Sequence, residues 1–252
     1  MTRHTVMLVY GGEPACHDDS VRSARAVYAA MDGEKYEAKF VYVDQRGKWW
    51  LLDGWKNSLE SHGGRQLLLV PGTRTFITLP GNDIISTDVV FPLIIGRQAS
   101  RVRALLDALK VPFVGSSAEA SILASKPHAL RGQLAARGIA VSDSAEIEYV
   151  QAVIDGSEGR QLSPAYELHE GVLVDMDEQH DELSRCVEQA YKLAKCHSYG
   201  WVSLRLVDAS PHIVQVHVDP DFSRDSLFMQ MWHRSGMKYP TLIDIMIASA
   251  IK

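Results

Sequence analysis

An α/β fold with an open parallel sheet in its N-terminal part is what the sequence predicts, and three observations predict it. Thr5 to Tyr10 is continuously apolar, the pattern of a strand buried on both faces. It runs into Gly11-Gly12 and then into Ser20 to Met31, where Ala24, Val27, Tyr28 and Met31 recur at helical spacing, with Ser20 as a candidate N-cap. A second strand, Tyr36 to Val43, follows the stop signal Asp32-Gly33 and completes a β-α-β unit.

The elements then continue in order. Lys48 to Leu52, Gln66 to Val70 and Thr75 to Leu79 read as short strands between Gly, Pro and Asn turns, and Asp88 to Ile95 as a strongly apolar strand. Ser100 to Leu109 carries Val102, Leu105, Leu106 and Leu109 on one helical face, and Val111 to Gly115 is a further short strand. Binding sites in such a sheet lie at the strand C-terminal ends, here near Gly11-Gly12 and Ile95-Gly96. Helices are expected at Ala118 to Ala124 and at Pro127 to Arg137. From Val141 to Ser184 the pattern weakens to strand-like pieces at Ile147 to Ile154 and Gly171 to Val174. Glu182 to Lys195 is an amphipathic helix, Trp201 to Val207 and His212 to Val218 form a hairpin, and two helices follow, one capped by Asp225 and one opened by Pro240-Thr241.

Composition narrows the function classes. With 26 Lys+Arg against 31 Asp+Glu the formal charge is −5, which offers no basic field for nucleic acid or anionic lipid, so neither a nucleic-acid nor a membrane partner is expected. Cys16, Cys186 and Cys196 form no C-x-x-C pair, so the expected state is reduced thiols in the cytoplasm. The 252 residues contain no G-x-G-x-x-G, P-loop, H-E-x-x-H or G-x-S-x-G pattern. Trp49, Trp50 and Trp55 read as an aromatic cluster, either a core filling or a surface contact.

Taken in order, several segments resemble the D-alanine–D-alanine ligase family. Gly11-Gly12, His17, Ser20, Ser23 and Ala24 are similar to its G-G-x-S-x-E-H-x-V-S-x-x-S-A opening, and Asp88 to Pro92 with Ile95-Gly96 to its D-V-V-F-P-x-L-H-G segment. Val111 to Gly115, Ser125-Lys126 and Gly138 to Val141 resemble its I-P-Y-V-G, M-D-K and G-I-P-V elements. Gly200-Trp201, Pro220, Ser226-Leu227 and Gly236 to Ile243 resemble its closing segments. The resemblance implies a pre-ATP-grasp, Rossmann-like N-terminal sheet followed by a reduced ATP-grasp remnant. It divides the chain into 1–115, an N-terminal α/β domain; 116–183, the remnant of a central ATP-binding domain; and 184–252, a C-terminal α/β part. The faint likeness of Gly159 to Ser163 to the family's G-R-E-L strand lies in the middle part, where Val141 to Leu183 leaves no room for a full nucleotide clamp.

The family uses ATP and magnesium to make an acyl phosphate, chemistry that needs acidic oxygens to hold the metal ions. Aligned from Gly200-Trp201, its R-x-D strand becomes Ser203-Leu204-Arg205; aligned back from Pro220, its E-x-N strand becomes Gln215-Val216-His217. Arginine is always cationic and repels the metal it would have to bind. Cys16 stands where a glutamate orients the first amino acid, and Asp221 where a glycine shapes the S-P-G turn. His217 with Asp219 and Asp221 offers an alternative metal cluster, but strand alternation into a loop is the simpler account.

These substitutions lead to the expectation of a degenerate, non-catalytic homologue with a binding or interaction role linked to cell-wall precursor metabolism. No catalytic or metal-ligating residue is assigned, and no cofactor. His17, Ser20, Ser226 and Leu227 are vestigial substrate-binding candidates, and Lys126 is a candidate for ATP phosphate. Each has an ordinary structural reading beside it: a helix cap, a first-turn residue or a solvated lysine. The partners implied are a second copy of the chain, through the N-terminal domain, and D-alanine or D-alanyl-D-alanine. The alternative is an active ATP-dependent ligase, requiring ATP and magnesium, with a minimal site or one completed by another chain.

Overall fold

The computed structural model describes residues 3–57, 64–70, 72–73, 75–176 and 181–251. The chain divides into two compact units, one of Met1–Val114, Asp221–Ser223 and Ile243–Lys252, the other of Gly115–Pro220 and Arg224–Leu242.

The first unit begins with β1 (His4–Gly11), a 3-10 turn at Pro14–Cys16 and α1 (His17–Ala30). Then come β2 (Tyr36–Val43), β3 (Trp49–Leu52), β4 (Arg65–Leu69), β5 (Thr75–Leu79), β6 (Ile84–Ser86), β7 (Val89–Pro92) and α2 (Arg97–Leu109). The strands lie in the order β6-β5-β4-β3-β2-β1-β7. Only β7, β1 and β2 are parallel; from β2 outward the sheet is an antiparallel meander. The expected parallel sheet is thus confined to the strands joined through helices, since a short turn can only return a chain antiparallel. Met7, Val9, Val41 and Val43 meet Val102 and Leu106 of α2 in one core. Alternation turns Phe40 to the other face, where Tyr28 of α1 packs on it at 4.8 Å. Two helices therefore cover opposite faces, which explains why β1 is apolar throughout. Asp244 joins this unit by accepting hydrogen bonds from Lys35 Nζ at 2.8 Å and Tyr36 Oη at 2.7 Å.

Trp49, Trp50 and Trp55 do not cluster. Residues 49 and 50 of β3 point to opposite faces: Trp49 stacks on Phe76 in the α2-side core, Trp50 Nε1 donates to Asp44, and Trp55 lies against Tyr10 at 5.0 Å.

The second unit opens with α3 (Ala118–Ala124) and α4 (Pro127–Ala135). Among its described residues the weakly patterned stretch holds four strands, β8 (Tyr149–Gly156), β9 (Gly159–Leu162), β10 (Tyr166–His169) and β11 (Val172–Asp175). After α5 (Asp181–Leu193) come β12 (Tyr199–Val207), β13 (Ser210–His217), α6 (Leu227–Arg234) and α7 (Tyr239–Ala250), the last ending among the residues of the first unit. The sheet runs β11-β10-β8-β12-β13, with β9 also paired to β8; these strand pairings are antiparallel, and Val141 adds a single parallel bridge to Ile213 of β13. It takes strands from both sides of position 183. Leu130 and Leu134 of α4 and Val187 and Tyr191 of α5 pack on Val202, Leu204, Ile213 and Val216, forming the core on one face of this sheet. Among the described residues no helix is long and apolar enough to cross a membrane.

Candidate functional site

The strand-end turn of the first unit is built around a buried serine. Gly11 has a φ of +103°, and a Cβ there would stand 2.6 Å from the Val43 carbonyl oxygen, so only glycine lets β1 close against the end of β2. Ser20, fully buried, accepts from the Gly11 N–H at 2.9 Å and donates to the Leu93 carbonyl at 2.7 Å. It does not cap α1, which starts three residues earlier at His17 with Cys16 as an N-cap that makes no side-chain bond. The hydroxyl is taken by the ends of β1 and β7 rather than by the helix. His17 shares this first turn; its Nδ1 meets Asp18 Oδ1 at 2.9 Å and its ring lies edge-on to Tyr42 at 5.8 Å. Cys16 lies against Gly96, where a Cβ would come within 3.0 Å of its Sγ. Burial, then Glu13 and Asp19, pushes the Cys16 thiol up, away from the thiolate.

In the second unit Lys126 is exposed at the N-cap of α4, with no ion-pair partner among the described residues. Ser226 caps α6 by accepting from the Met229 N–H at 3.3 Å, the role that the sequence reading gave to Asp225; Leu227 is the first helical residue. His17 and Ser20 therefore share one turn, Ser226 and Leu227 another, and Lys126 stands at a third.

The β12–β13 hairpin carries the positions that the resemblance aligns with metal ligands. Val202, Leu204 and Val216 point into the core, which leaves Trp201, Ser203, Arg205, Gln215 and His217 on the other face. Trp201 pairs directly with His217, and the two rings stack almost parallel, 3.6 Å between centroids and 3° between planes. Burial pushes the His217 imidazole down to about 3, so it is neutral over the ordinary pH range. Ser203 Oγ donates to the Gln215 carbonyl at 3.3 Å and lies 3.4 Å from His217 Nε2. A register shift between Ser203 and Leu204 separates this group from Arg205, which lies 3.3 Å from Glu146 and 3.6 Å from Glu148. Glu148 also accepts from the Leu206 N–H at 2.8 Å, fixing the carboxylate to the strand it serves.

This donor set does not fit magnesium, which takes hard oxygen ligands in a near-octahedral shell. The set has one cation already neutralised by two carboxylates, one neutral amide and one stacked imidazole. Among the described residues no three His, Cys, Asp or Glu side chains gather as a metal site. Asp219 accepts from Ser121 Oγ at 2.8 Å, while Asp221 accepts from Ser23 Oγ at 2.6 Å and from the Ser223 N–H at 2.7 Å, so each carboxylate holds chain together. Glu146, Glu148 and the Trp201 stack were not found from sequence. The available signal was the i, i+2 spacing of the two glutamates ahead of β8, which sets them on one side.

A partly parallel sheet with glycines at the end of β1, followed by an antiparallel sheet backed by helices, is the architecture of the ATP-grasp ligases. Residues 5–116 match the family described as D-ala D-ala ligase N-terminus, and residues 139–248 match D-ala D-ala ligase C-terminus. The chain belongs to the D-alanine–D-alanine ligase family. It is 22% identical to a D-alanine–D-alanine ligase of Mycolicibacterium smegmatis over 358 aligned positions, covering 99% of this chain and 96% of the relative. Because this chain has 252 residues, at least 106 of those positions (358 less 252) are filled by the relative alone. Among solved structures it is similar in fold to a D-alanine-D-alanine ligase from Coxiella burnetii, with a TM-score of 0.87, 19% identity, and coverage of 100% of this chain and 94% of that one. The VanG D-Ala:D-Ser ligase from Enterococcus faecalis gives a TM-score of 0.85 at 13% identity, covering 99% of this chain and 100% of that one.

Proposed function

We propose that this protein is a non-catalytic member of its family, kept in the cytoplasm as a binding or interaction protein tied to cell-wall precursor metabolism. The observation that carries this reading is the β12–β13 face, where Arg205, held by Glu146 and Glu148, and His217, stacked on Trp201, occupy positions aligned with metal ligands. Phosphoryl transfer depends on cations that neutralise developing charge, and these side chains offer them nothing to bind. The shortened chain supports the same reading. His17, Ser20, Ser226 and Leu227 are the residues proposed to bind D-alanine or its dipeptide, and a homodimer through the N-terminal unit is the proposed assembly.

A coupled assay for ADP release with D-alanine, ATP and magnesium tests the reading. No turnover, and no ATP-dependent rise in melting temperature, is the expected result. Turnover abolished by Lys126→Ala overturns it and establishes the active-ligase alternative, favoured by the near-complete span of the family alignment. Calorimetric titration with D-alanine and D-alanyl-D-alanine then tests the binding role; silence with both leaves only a protein partner.

A further inference from the structure

On the α2 face of the N-terminal sheet, beside the β2–β3 turn, lies a cleft of about 270 Å³. Its wall is apolar where Trp49, Val102 and Leu105 form it, and cationic where Arg46 of the turn and Arg101 of α2 reach it. Neither guanidinium has an ion-pair partner among the described residues. The acid of the same turn is engaged elsewhere: Asp44 accepts from the N–H groups of Arg46 and Lys48 and from the Trp50 indole. The first turn of α2 holds no acidic residue, and its N-cap, Gly96, brings no side chain, so the positive end of the helix adds to the same sign. Gln98, which also lines the cleft, is seated against Gly12; a Cβ at that glycine would come within 2.9 Å of Gln98 Oε1. In a chain of formal charge −5 this concentration of positive charge is local, not general.

We propose that this cleft binds a small organic oxyanion, its carboxylate or phosphate head held by Arg46 and Arg101 and its apolar body laid against Trp49 and Leu105. The planar guanidinium fork matches both kinds of head, and hydrogen bonds to a charged group are stronger than neutral ones. The volume lies just below the usual range for ligand pockets, about 300–1,000 Å³, which restricts the ligand to a compact molecule. Ser20 does not line the cleft: it belongs to α1, which packs on the opposite face of the sheet.

Calorimetry with phenyl phosphate, benzoate, inorganic phosphate and neutral benzyl alcohol, on the full chain at low salt, tests this. One of the two aromatic anions should bind at least about tenfold more tightly than both benzyl alcohol and inorganic phosphate, and lose affinity as salt rises. Whether phenyl phosphate or benzoate is tighter identifies the head group. Arg46→Gln with Arg101→Gln should weaken that anion at least about tenfold, without moving the melting temperature, because both side chains are exposed. If the double substitution lowers the melting temperature, the single substitutions are compared instead. Absence of binding at millimolar anion, equal binding of benzyl alcohol, or unchanged affinity in the variants overturns the proposal.

Discussion

The turn around Ser20 and the outward face of the β12–β13 hairpin handle polar groups in opposite ways. At the turn a single neutral hydroxyl, fully buried, bonds only backbone, joining Gly11 to Leu93. At the hairpin the polar contacts are mostly between side chains: Arg205 with two glutamates, and His217 on Trp201. Backbone partners are fixed by the sheet, so the turn accepts almost no change of residue. The hairpin register is held by its own ladder whatever side chains stand on that face, so the chemistry there can be exchanged while the fold persists. The backbone ladder of the hairpin therefore sets the fold there, and its outward side chains set the chemistry.

The contrast is most directly broken at Gly11. Gly11→Val combines a left-handed φ with a 2.6 Å approach to the Val43 carbonyl, and should cost about 4 kcal/mol, read as a fall in the urea midpoint. Ser20→Ala leaves a buried N–H and a buried carbonyl unpaired and should cost about 2–3 kcal/mol by the same measurement. On the hairpin, Arg205→Asp exchanges two attractions for repulsions at a partly exposed site. A loss of about 2 kcal/mol is expected, recovered when magnesium is added; a loss as large as that at Gly11 would contradict the distinction drawn between the two regions.

The last effect concerns pH, and in the interval between pH 7.5 and 5 it is about 2 kcal/mol, comparable to that at Arg205. An unfolded histidine titrates near 6.5 and His217 in the fold near 3, so between those values the unfolded chain takes up a proton that the native state refuses. This contribution is flat above about pH 6.5 and lowers stability as pH falls from there toward 3. His217→Asn should remove that part of the acid sensitivity, measured as the difference in urea midpoint between variant and parent at pH 7.5 and pH 5. Parallel curves for the two proteins would show that the imidazole titrates normally.

Much of this was legible in the sequence where patterns were long. α1, α2 and α5 have apolar residues at helical spacing over several turns, and β1 is apolar without interruption, so burial shows in the letters. The strands β9, β10 and β11 have only four residues each, too short for alternation to stand out from a loop. Ser20 was read as a cap because serine ahead of an apolar run caps helices; its use by two strand ends depends on Leu93, 73 residues away. The charge of Arg205 is plain in the sequence, but its pairing with Glu146 and Glu148 arises from the return of β12 beside β8, which no local pattern carries. The separation of Trp49 from Trp50, by contrast, follows from the two-residue period of a strand.

The unit that begins with β1 takes its last members from Ile243–Lys252, and this sets an order of events during synthesis. Lys35 and Tyr36 wait more than two hundred residues for Asp244, a gap of 209 and 208 positions. At about 5–20 residues per second a ribosome needs roughly 10–40 s to cross that interval. Until then the N-terminal segments lack the helix end that carries Ile243, Met246 and Ile247, all buried in the finished unit. The contacts of Lys35 and Tyr36 with Asp244 can therefore form only after nearly the whole of this chain has been made.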